Sequence, residues 1–167
     1  TPVINNESVN KNDITSVAQN SRNKIVSALL RSELEPNLGL SGTGQEVSIM
    51  RSTLLRTGIW SEDGGVPQIN LHPENVNMRH MLETIEDFIL ETRQNGKTSF
   101  AELYERLTSP EYHIGLRYGL IPIYVAAVMH NYRQQIVIND RFGPIQTSAD
   151  ALIQINSDPS SFTLEYL

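Results

Sequence analysis

Apolar residues recur at helical spacing in three segments of the first half of the chain. The first helix is expected over 13–34, capped by Asp13 or Thr15, and the second over 44–57. The third, over 74–94, combines an apolar face with a polar side rich in acidic residues. The inward positions of the first two helices are Ile14, Val17, Ile25, Val26, Leu29, Leu30, Val47, Met50, Leu54 and Leu55. Those of the third are Met78, Met81, Leu82, Ile85, Phe88 and Ile89.

The second half of the chain predicts two helices followed by a β-hairpin. Ser99 and Glu102 form a capping box, which predicts that a short helix begins there. A longer apolar helix is expected over 115–132, with a lost hydrogen bond or a kink at Pro122. A strand, a turn and a returning strand are expected over 135–146. This order of elements is typical of a winged helix, a unit that usually binds DNA or protein.

The chain closes with a capping pattern over 147–150, a short helix, and an alternating segment over 162–167 that predicts a final strand. Together these elements predict a mainly α protein of the α+β class, a helical bundle followed by a winged-helix-like unit with a small β-hairpin or sheet. We expect a flexible leader over 1–13, a helical lobe over 14–96 and a winged-helix-like lobe over 97–167. A length of 167 residues fits one domain or two small lobes that share a core.

The net charge of −6 is unevenly distributed, and a basic stripe is absent from the sequence. Residues 1–58 carry six basic and five acidic residues, 59–96 carry two and seven, and 97–167 carry five and seven. Because phosphate neutralisation supplies most non-specific affinity for DNA, this pattern weakens a purely nucleic-acid-binding function. Ten of the 13 basic residues are Arg, which favours forked contacts to carboxylate or phosphate.

The composition excludes several classes of protein. There is no Cys, which excludes disulfides, thiol catalysis and thiolate metal sites. The longest apolar run, residues 119–129, is shorter than the roughly 20 residues of a membrane span, and the first residues lack the layout of a signal peptide. We therefore expect a cytoplasmic location and no membrane partner. The sequence also lacks an initiator Met, which is typical of a fragment of a longer chain.

The predicted winged-helix surface is the strongest candidate binding site. In such a unit the second helix presents its start to a DNA groove, and the hairpin touches the backbone. The candidate nucleic-acid-binding residues are Lys97, His113, Arg117, Tyr118, Arg133 and Arg141. The alternative is that this helix is mainly a core element, which leaves Arg117 as a surface or ion-pair residue. The apolar residues that favour this alternative are Leu116, Leu120, Ile123, Val125 and Val128.

No catalytic residue, cofactor or metal is predicted. The glycine-rich run over 39–44 lacks the Gly-Lys-Ser/Thr of a Walker A motif and is better explained as a turn between two helices. His80, Glu83 and Asp87 share one helix face, as metal ligands do, but a solvated acidic face explains them equally well. No G-x-S-x-G elbow is present to support a serine hydrolase.

Three long segments carry a family resemblance: RNKIVSALLRSELEP, LSGTGQEVSIMRSTLLRTGIW and SFAELYERLTSPEYHIGLRYGLIPIYVAAVMHNYRQQIVIND. They resemble a region of very large prokaryotic P-loop ATPases of anti-phage defence islands, the BREX-type and related ATPases. The resemblance covers about residues 20–167, with its matches at 99–110, 115–122 and 136–140. It implies an accessory helical and winged-helix region that couples nucleotide state in a neighbouring ATPase domain to DNA or partner subunits.

The chain departs from this family in three ways. It lacks Walker A and Walker B segments, so ATP hydrolysis is not assigned to any of its residues. His113-Ile114 stands where the family has a Tyr-Gly turn, and residues 139–143 replace an acidic-Gly turn in the wing.

Three functions stand as hypotheses. The preferred one is a non-catalytic interaction and regulatory module of a large prokaryotic defence ATPase, whose partners are other domains or subunits of the defence complex. The alternative is a winged helix that binds double-stranded DNA directly through Arg117, Arg133 and Arg141. The third is an enzyme, which requires a deep pocket with converging polar groups of perturbed pKa.

Overall fold

The computed structural model describes Ile4 and residues 6–167. Within these residues the chain forms six α-helices and two small antiparallel sheets, which confirms the predicted α+β class. The helices are α1 (Ser16–Leu29), α2 (Gln45–Met50), α3 (Val76–Asn95), α4 (Phe100–Thr108), α5 (Ile121–Tyr132) and α6 (Ala149–Ser157). The strands are β1 (Trp60–Ser61), β2 (Gln68–Ile69), β3 (Thr98–Ser99), β4 (Ile136–Asp140), β5 (Gly143–Ile145) and β6 (Thr163–Tyr166). None of the helices described has both the length and the apolarity needed to cross a bilayer.

Side-chain caps fix where four of the helices begin. The side-chain oxygens of Thr15, Asn75, Ser99 and Ser148 accept hydrogen bonds from backbone N–H groups in the first turns of α1, α3, α4 and α6. The predicted caps at Thr15 and Ser99 are confirmed. The cap of α6 is Ser148 and not the predicted Thr147, because the Ser148 hydroxyl is the one that reaches the first turn.

Two positions predicted to face inward are exposed. Val17 is 67% exposed and Leu55 is 44% exposed. α1 ends at Leu29, short of the predicted 34, and α2 continues as a π-turn over Arg51–Leu55. In a π-turn the N–H of residue i+5 donates to the carbonyl of residue i, so the turn contains one residue more than an α-turn. Leu54 therefore remains buried while Leu55 rotates towards solvent.

The helix α5 begins six residues later than the predicted start at residue 115. Pro122 is at the second helical position, where its missing N–H leaves no intrahelical bond unmade, so the lost hydrogen bond and the kink are not found. Every residue from Ile121 to His130 is buried. α5 is thus the central core helix, with α1, α3 and α6 packed around it.

The larger sheet has the strand order β3-β6-β4-β5, and all neighbouring strands are antiparallel. The predicted hairpin and the predicted final strand are both present, and the final strand inserts between β3 and β4. Ile138 on β4 is paired with Leu164 on one side and Ile145 on the other. Because β5 is an edge strand, it tolerates Pro144, which has no N–H to donate.

A single hydrophobic core runs through both predicted lobes, 14–96 and 97–167. It also includes the described part of the predicted flexible leader over 1–13, because Ile4 and Val9 are buried. Polar composition predicts a leader here, but these two apolar residues pack into the core. The rest of that prediction falls on residues 1–3 and 5, outside the described residues.

Gly119 holds the N-terminal segment in place. Its N–H donates to the carbonyl of Lys11 at 2.8 Å. A Cβ at this position would collide with the carbonyl oxygen of Val9 and lie 2.6 Å from that of Lys11. Because Gly119 has no Cβ, the backbone of the N-terminal segment packs directly against the backbone at this position.

Candidate interaction surface

The segment predicted to begin the recognition helix is a loop. His113 has a φ of 61° and ends a 3₁₀ turn, and Arg117 is exposed beyond it. Tyr118 is half-buried, with its ring centroid 5.7 Å from that of Tyr104. Because α5 starts only after this loop and is buried from Ile121 to His130, it has no exposed start to place in a groove. The prediction that these three residues lie near the exposed start of a recognition helix is therefore wrong.

Arg133 lies at the opposite end of α5. Its Nη1 donates to the carbonyl of His130 at 2.7 Å, and its Nη2 donates to the carbonyl of Ser32 at 3.0 Å. The guanidinium thus caps the C-terminal end of α5 and ties it to the chain that follows α1. The 12 residues of α5 span about 18 Å, which separates Arg133 from Arg117.

Lys97 and Arg141 lie at opposite edges of the larger sheet. Lys97 is exposed just before β3, and Arg141 is exposed in the turn between β4 and β5. Four strands spaced by about 4.8 Å place the outer two about 14 Å apart. The structure brings together only His113, Arg117 and Tyr118, in one loop. The six candidate residues therefore do not form one basic footprint.

The turn over residues 140–143, here called the hairpin tip, presents an exposed aromatic side chain. Phe142 is 88% exposed, more than any other large apolar side chain that the structure describes. Oδ1 of Asp140 accepts hydrogen bonds from the N–H groups of Phe142 at 2.8 Å and of Gly143 at 3.1 Å. Gly143 has a φ of 134°, a conformation that favours glycine. The guanidinium carbon of Arg141 lies 5.5 Å from the centroid of the Phe142 ring.

The surface beside the hairpin tip is acidic on balance. A shallow cavity of about 220 Å³ is lined by Asp140, Arg141, Phe142, Gln154, Asp158, Ser161 and Phe162. Hydrogen bonds from Ser161 and then Ser160 lower the pKa of Asp158, so its carboxylate is ionised at neutral pH. Two carboxylates thus stand beside the one guanidinium of Arg141. This balance disfavours contact with a phosphate backbone.

The acidic side of α3 is partly engaged in internal contacts. Glu86 accepts a hydrogen bond from the hydroxyl of Tyr132 at 2.6 Å, and Glu91 pairs with Arg106 through bonds of 2.8 and 3.1 Å. Burial, followed by the charges of neighbouring glutamates, raises the pKa of Asp87. The face is therefore a network of contacts with α4 and α5 and only in part a solvated surface.

Two members of the ligand set considered for a metal, His80, Glu83 and Asp87, have other partners in the structure. Nε2 of His80 lies 2.9 Å from the carbonyl oxygen of Tyr112. Glu83 lies 3.8 Å from Nδ1 of His72. In the part of the chain that the structure describes, no three His, Cys, Asp or Glu side chains converge as metal ligands.

Sequence reasoning missed two residues that the structure makes prominent. The pattern over 135–146 predicts Phe142 in the returning strand, although its position directly before Gly143 is a sign of an exposed turn. Arg22 is only 4% exposed on α1. It lies four residues after Ala18 and three before Ile25, so helical periodicity already places it on the buried face.

Comparison with known proteins finds no family model, no curated protein and no solved structure that matches the chain. Function is therefore inferred from this geometry and from the resemblance carried by the sequence.

Proposed function

We propose that this chain is a non-catalytic interaction and regulatory module of a large prokaryotic defence ATPase, and that it docks on a protein partner through the hairpin tip. The observation that carries the proposal is Phe142, 88% exposed on a turn that Asp140 holds through two hydrogen bonds. Phe142 takes no part in the core of its own chain. Aromatic and Arg side chains presented in this way are typical anchors of protein interfaces.

The energetics of the hairpin tip suit such an anchor. Burying a Phe side chain in an apolar pocket stabilises a complex by about 1.5–3 kcal/mol. Because the turn is already ordered, little conformational entropy is lost when it binds. Arg141 stands against the ring of Phe142 and offers a forked donor to a carboxylate. We therefore expect the partner surface to be an apolar pocket with a carboxylate at its rim.

Several features favour a protein partner over the alternative, direct binding of double-stranded DNA. The chain has a net charge of −6, and Asp140 and Asp158 stand beside Arg141. Arg133 uses both terminal nitrogens on backbone carbonyls, which leaves it poorly placed to neutralise a phosphate. The buried α5 offers no helix start to a groove.

The identity of the partner is supported by the sequence resemblance of residues 20–167 to BREX-type and related defence ATPases. The chain carries no Walker A or Walker B segment, so its contribution is docking and coupling, while hydrolysis belongs to the partner. Such a module would act in the cytoplasm together with that ATPase.

Site-specific cross-linking in cells of the source organism tests the docking surface. Phe142 is replaced by p-benzoylphenylalanine, the cells are irradiated, and conjugates are identified by mass spectrometry. The expected product is a cross-link to a P-loop ATPase, either as a conjugate of two chains or, where this module is a segment of the ATPase chain, as a cross-link within that chain. The matched control places the same photoreactive residue at Val66, which is 55% exposed in the loop between β1 and β2, and is expected to give no such cross-link. A cross-link to any other protein, or none at position 142, overturns the proposal.

Fluorescence anisotropy with a labelled DNA duplex tests the alternative. Wild type and Arg117→Glu are compared across a salt series, and we expect no salt-sensitive binding by either chain. Salt-sensitive binding that is lost in Arg117→Glu would replace the proposed function with direct DNA recognition by the loop before α5.

A further inference from the structure

A polar cleft of about 410 Å³ lies between α1, α6 and the loop before α5, and its lining shares no residue with the cavity beside the hairpin tip. Its walls come from the N-terminal segment, α1, the loop before α5, and α6. The residues that line it are Asn12, Asp13, Ile14, Gln19, Arg22, Tyr118, Ile153, Asn156 and Ser157. A cleft of this size lies within the range of sites that bind small molecules.

Arg22 is a buried cation without a matching anion. Its Nη1 donates to the carbonyl of Gly119 and its Nε to Oδ1 of Asn23, both at 3.4 Å, which are long hydrogen bonds. No carboxylate of the described residues forms an ion pair with it. Its Nη2 has no hydrogen-bond partner among the described residues, and the Arg22 side chain lines the cleft. Burial lowers the pKa of Arg22, as expected for a desolvated cation, yet Arg remains charged.

The walls around Arg22 are held by a chain of hydrogen bonds. The hydroxyl of Tyr104 donates to Oδ1 of Asn156 at 2.7 Å, and Nδ2 of Asn156 donates to the carbonyl of Tyr118 at 3.2 Å. The N–H of Tyr118 in turn donates to Oδ1 of Asn12 at 3.1 Å. These bonds fix the segments in position before any ligand is present, which reduces the entropy lost on binding.

We propose that this cleft binds a small organic anion whose carboxylate or phosphate group pairs with the guanidinium of Arg22. A buried guanidinium without an anion is unfavourable, and a forked, partly desolvated donor matches the oxygens of either group. Asn12, Gln19 and Ser157 line the same cleft and bring amide and hydroxyl groups suited to the polar remainder of such a ligand. Asp13 also lines the cleft, so its carboxylate favours a ligand of low negative charge over a polyphosphate.

Titration of the ¹⁵N-labelled chain, followed by NMR, tests this site with acetate and inorganic phosphate as probes. Chloride at the same ionic strength serves as the reference. The signals followed are the amides of Tyr118 and Gly119, the side-chain amide of Asn156 and the Nε–H of Arg22. We expect saturable shifts of these signals with at least one probe. Saturation by acetate alone assigns a carboxylate ligand, saturation by phosphate alone assigns a phosphate ligand, and saturation by both supports the chemistry that the two share.

A matched pair of surface variants tests the cleft without changing Arg22. Replacing Arg22 itself risks unfolding the chain because its side chain is buried. Ser157→Asp places a negative charge on the cleft wall, and Ser48→Asp places the same charge on α2, outside the cleft. Both residues are exposed, so both variants are expected to fold. We expect Ser157→Asp to weaken binding about tenfold and Ser48→Asp to leave it unchanged. Shifts that never saturate, shifts that chloride reproduces, or equal affinity in both variants would overturn the proposal.

Discussion

The buried hydroxyl of Tyr124 donates a hydrogen bond of 3.0 Å to the backbone carbonyl of Thr53, 71 residues earlier in the chain. Thr53 lies within the π-turn over Arg51–Leu55, where the i to i+5 pattern replaces that of an α-helix. The same carbonyl also accepts from the hydroxyl of Thr57 at 2.8 Å. One polar contact inside the core therefore fastens the central helix α5 to the irregular end of α2.

Tyr124→Phe is expected to lower the free energy of unfolding by about 1 kcal/mol, the usual net contribution of one hydrogen bond. The loss is modest because Thr57 still donates to the carbonyl of Thr53. Combining it with Thr57→Val removes the second donor, and we expect a loss of about 1–3 kcal/mol more than the sum of the single variants. Urea denaturation measures all three, with Tyr112→Phe as the exposed control. Strict additivity would contradict a shared acceptor.

Leu120→Asp is expected to abolish the cooperative unfolding transition. Leu120 is 1% exposed, and an unpaired carboxylate there costs several kcal/mol. Because the core is continuous, we expect the loss to extend to the first half of the chain as well. Arg117→Glu, three residues earlier and exposed, is the matched control and should remain within about 0.5 kcal/mol of wild type. Thermal denaturation followed by circular dichroism compares the two, and a wild-type transition in Leu120→Asp would refute the burial of this position.

The helices and strands that could be predicted are those determined by residues close to them in the sequence. All six apolar positions predicted on the inner face of α3 are buried, and Gly96, with a φ of 71°, ends the helix directly after Asn95. The cap at Ser99 and the hairpin likewise follow from a few neighbouring residues. The α+β class could be predicted because it is the sum of such elements.

The start of α5 could not be predicted in the same way. No side chain caps this helix, and the one local sign of its start is Pro122, which suits the first turn of a helix as well as it suits a kink inside one. The loop before it is held from elsewhere, by the bonds from Gly119 to Lys11 and from Tyr118 to Asn12. These partners come from the N-terminal segment and are invisible to helical periodicity.

The candidate sites depend even more on distant contacts. Arg22 reaches the carbonyl of Gly119 across 97 residues, and Tyr104 reaches Asn156 across 52. Periodicity predicts that Arg22 faces inward but says nothing of the cleft that receives it. The exposure of Phe142 likewise depends on the conformation of the hairpin tip, which Asp140 stabilises.

Gly119→Ala is expected to displace the N-terminal segment. The new methyl group would meet the backbone carbonyls of Val9 and Lys11, which cannot move aside as a flexible side chain can. We expect a loss of about 1–3 kcal/mol in the free energy of unfolding, as for other overpacked sites. Hydrogen exchange should become faster over residues 6–11. Gly44→Ala is the control, because its Cβ would meet only the movable side chain of Glu46, and it should leave exchange in the N-terminal segment unchanged.

His130 is expected to make the fold sensitive to mild acid. Burial, opposed in part by the bond of 2.8 Å between Nδ1 and the carbonyl of Leu29, lowers its pKa, and the charge of Arg133 acts in the same direction as burial. A His whose pKa is lower in the folded state than in the unfolded state favours the neutral ring on folding. Its contribution to stability is therefore full above the unfolded pKa of about 6.5 and is lost as the pH falls towards the folded value.

Urea denaturation between pH 7.5 and 5 measures this contribution in wild type and in His130→Gln. In the wild type the free energy of unfolding should fall on acidification by at most about 1.4 kcal/mol per pH unit from this one group. His130→Gln should remove that part of the slope, although it begins from a lower stability because the ring is buried. Equal slopes in wild type and His130→Gln would show that the ring at position 130 does not resist protonation in the folded chain.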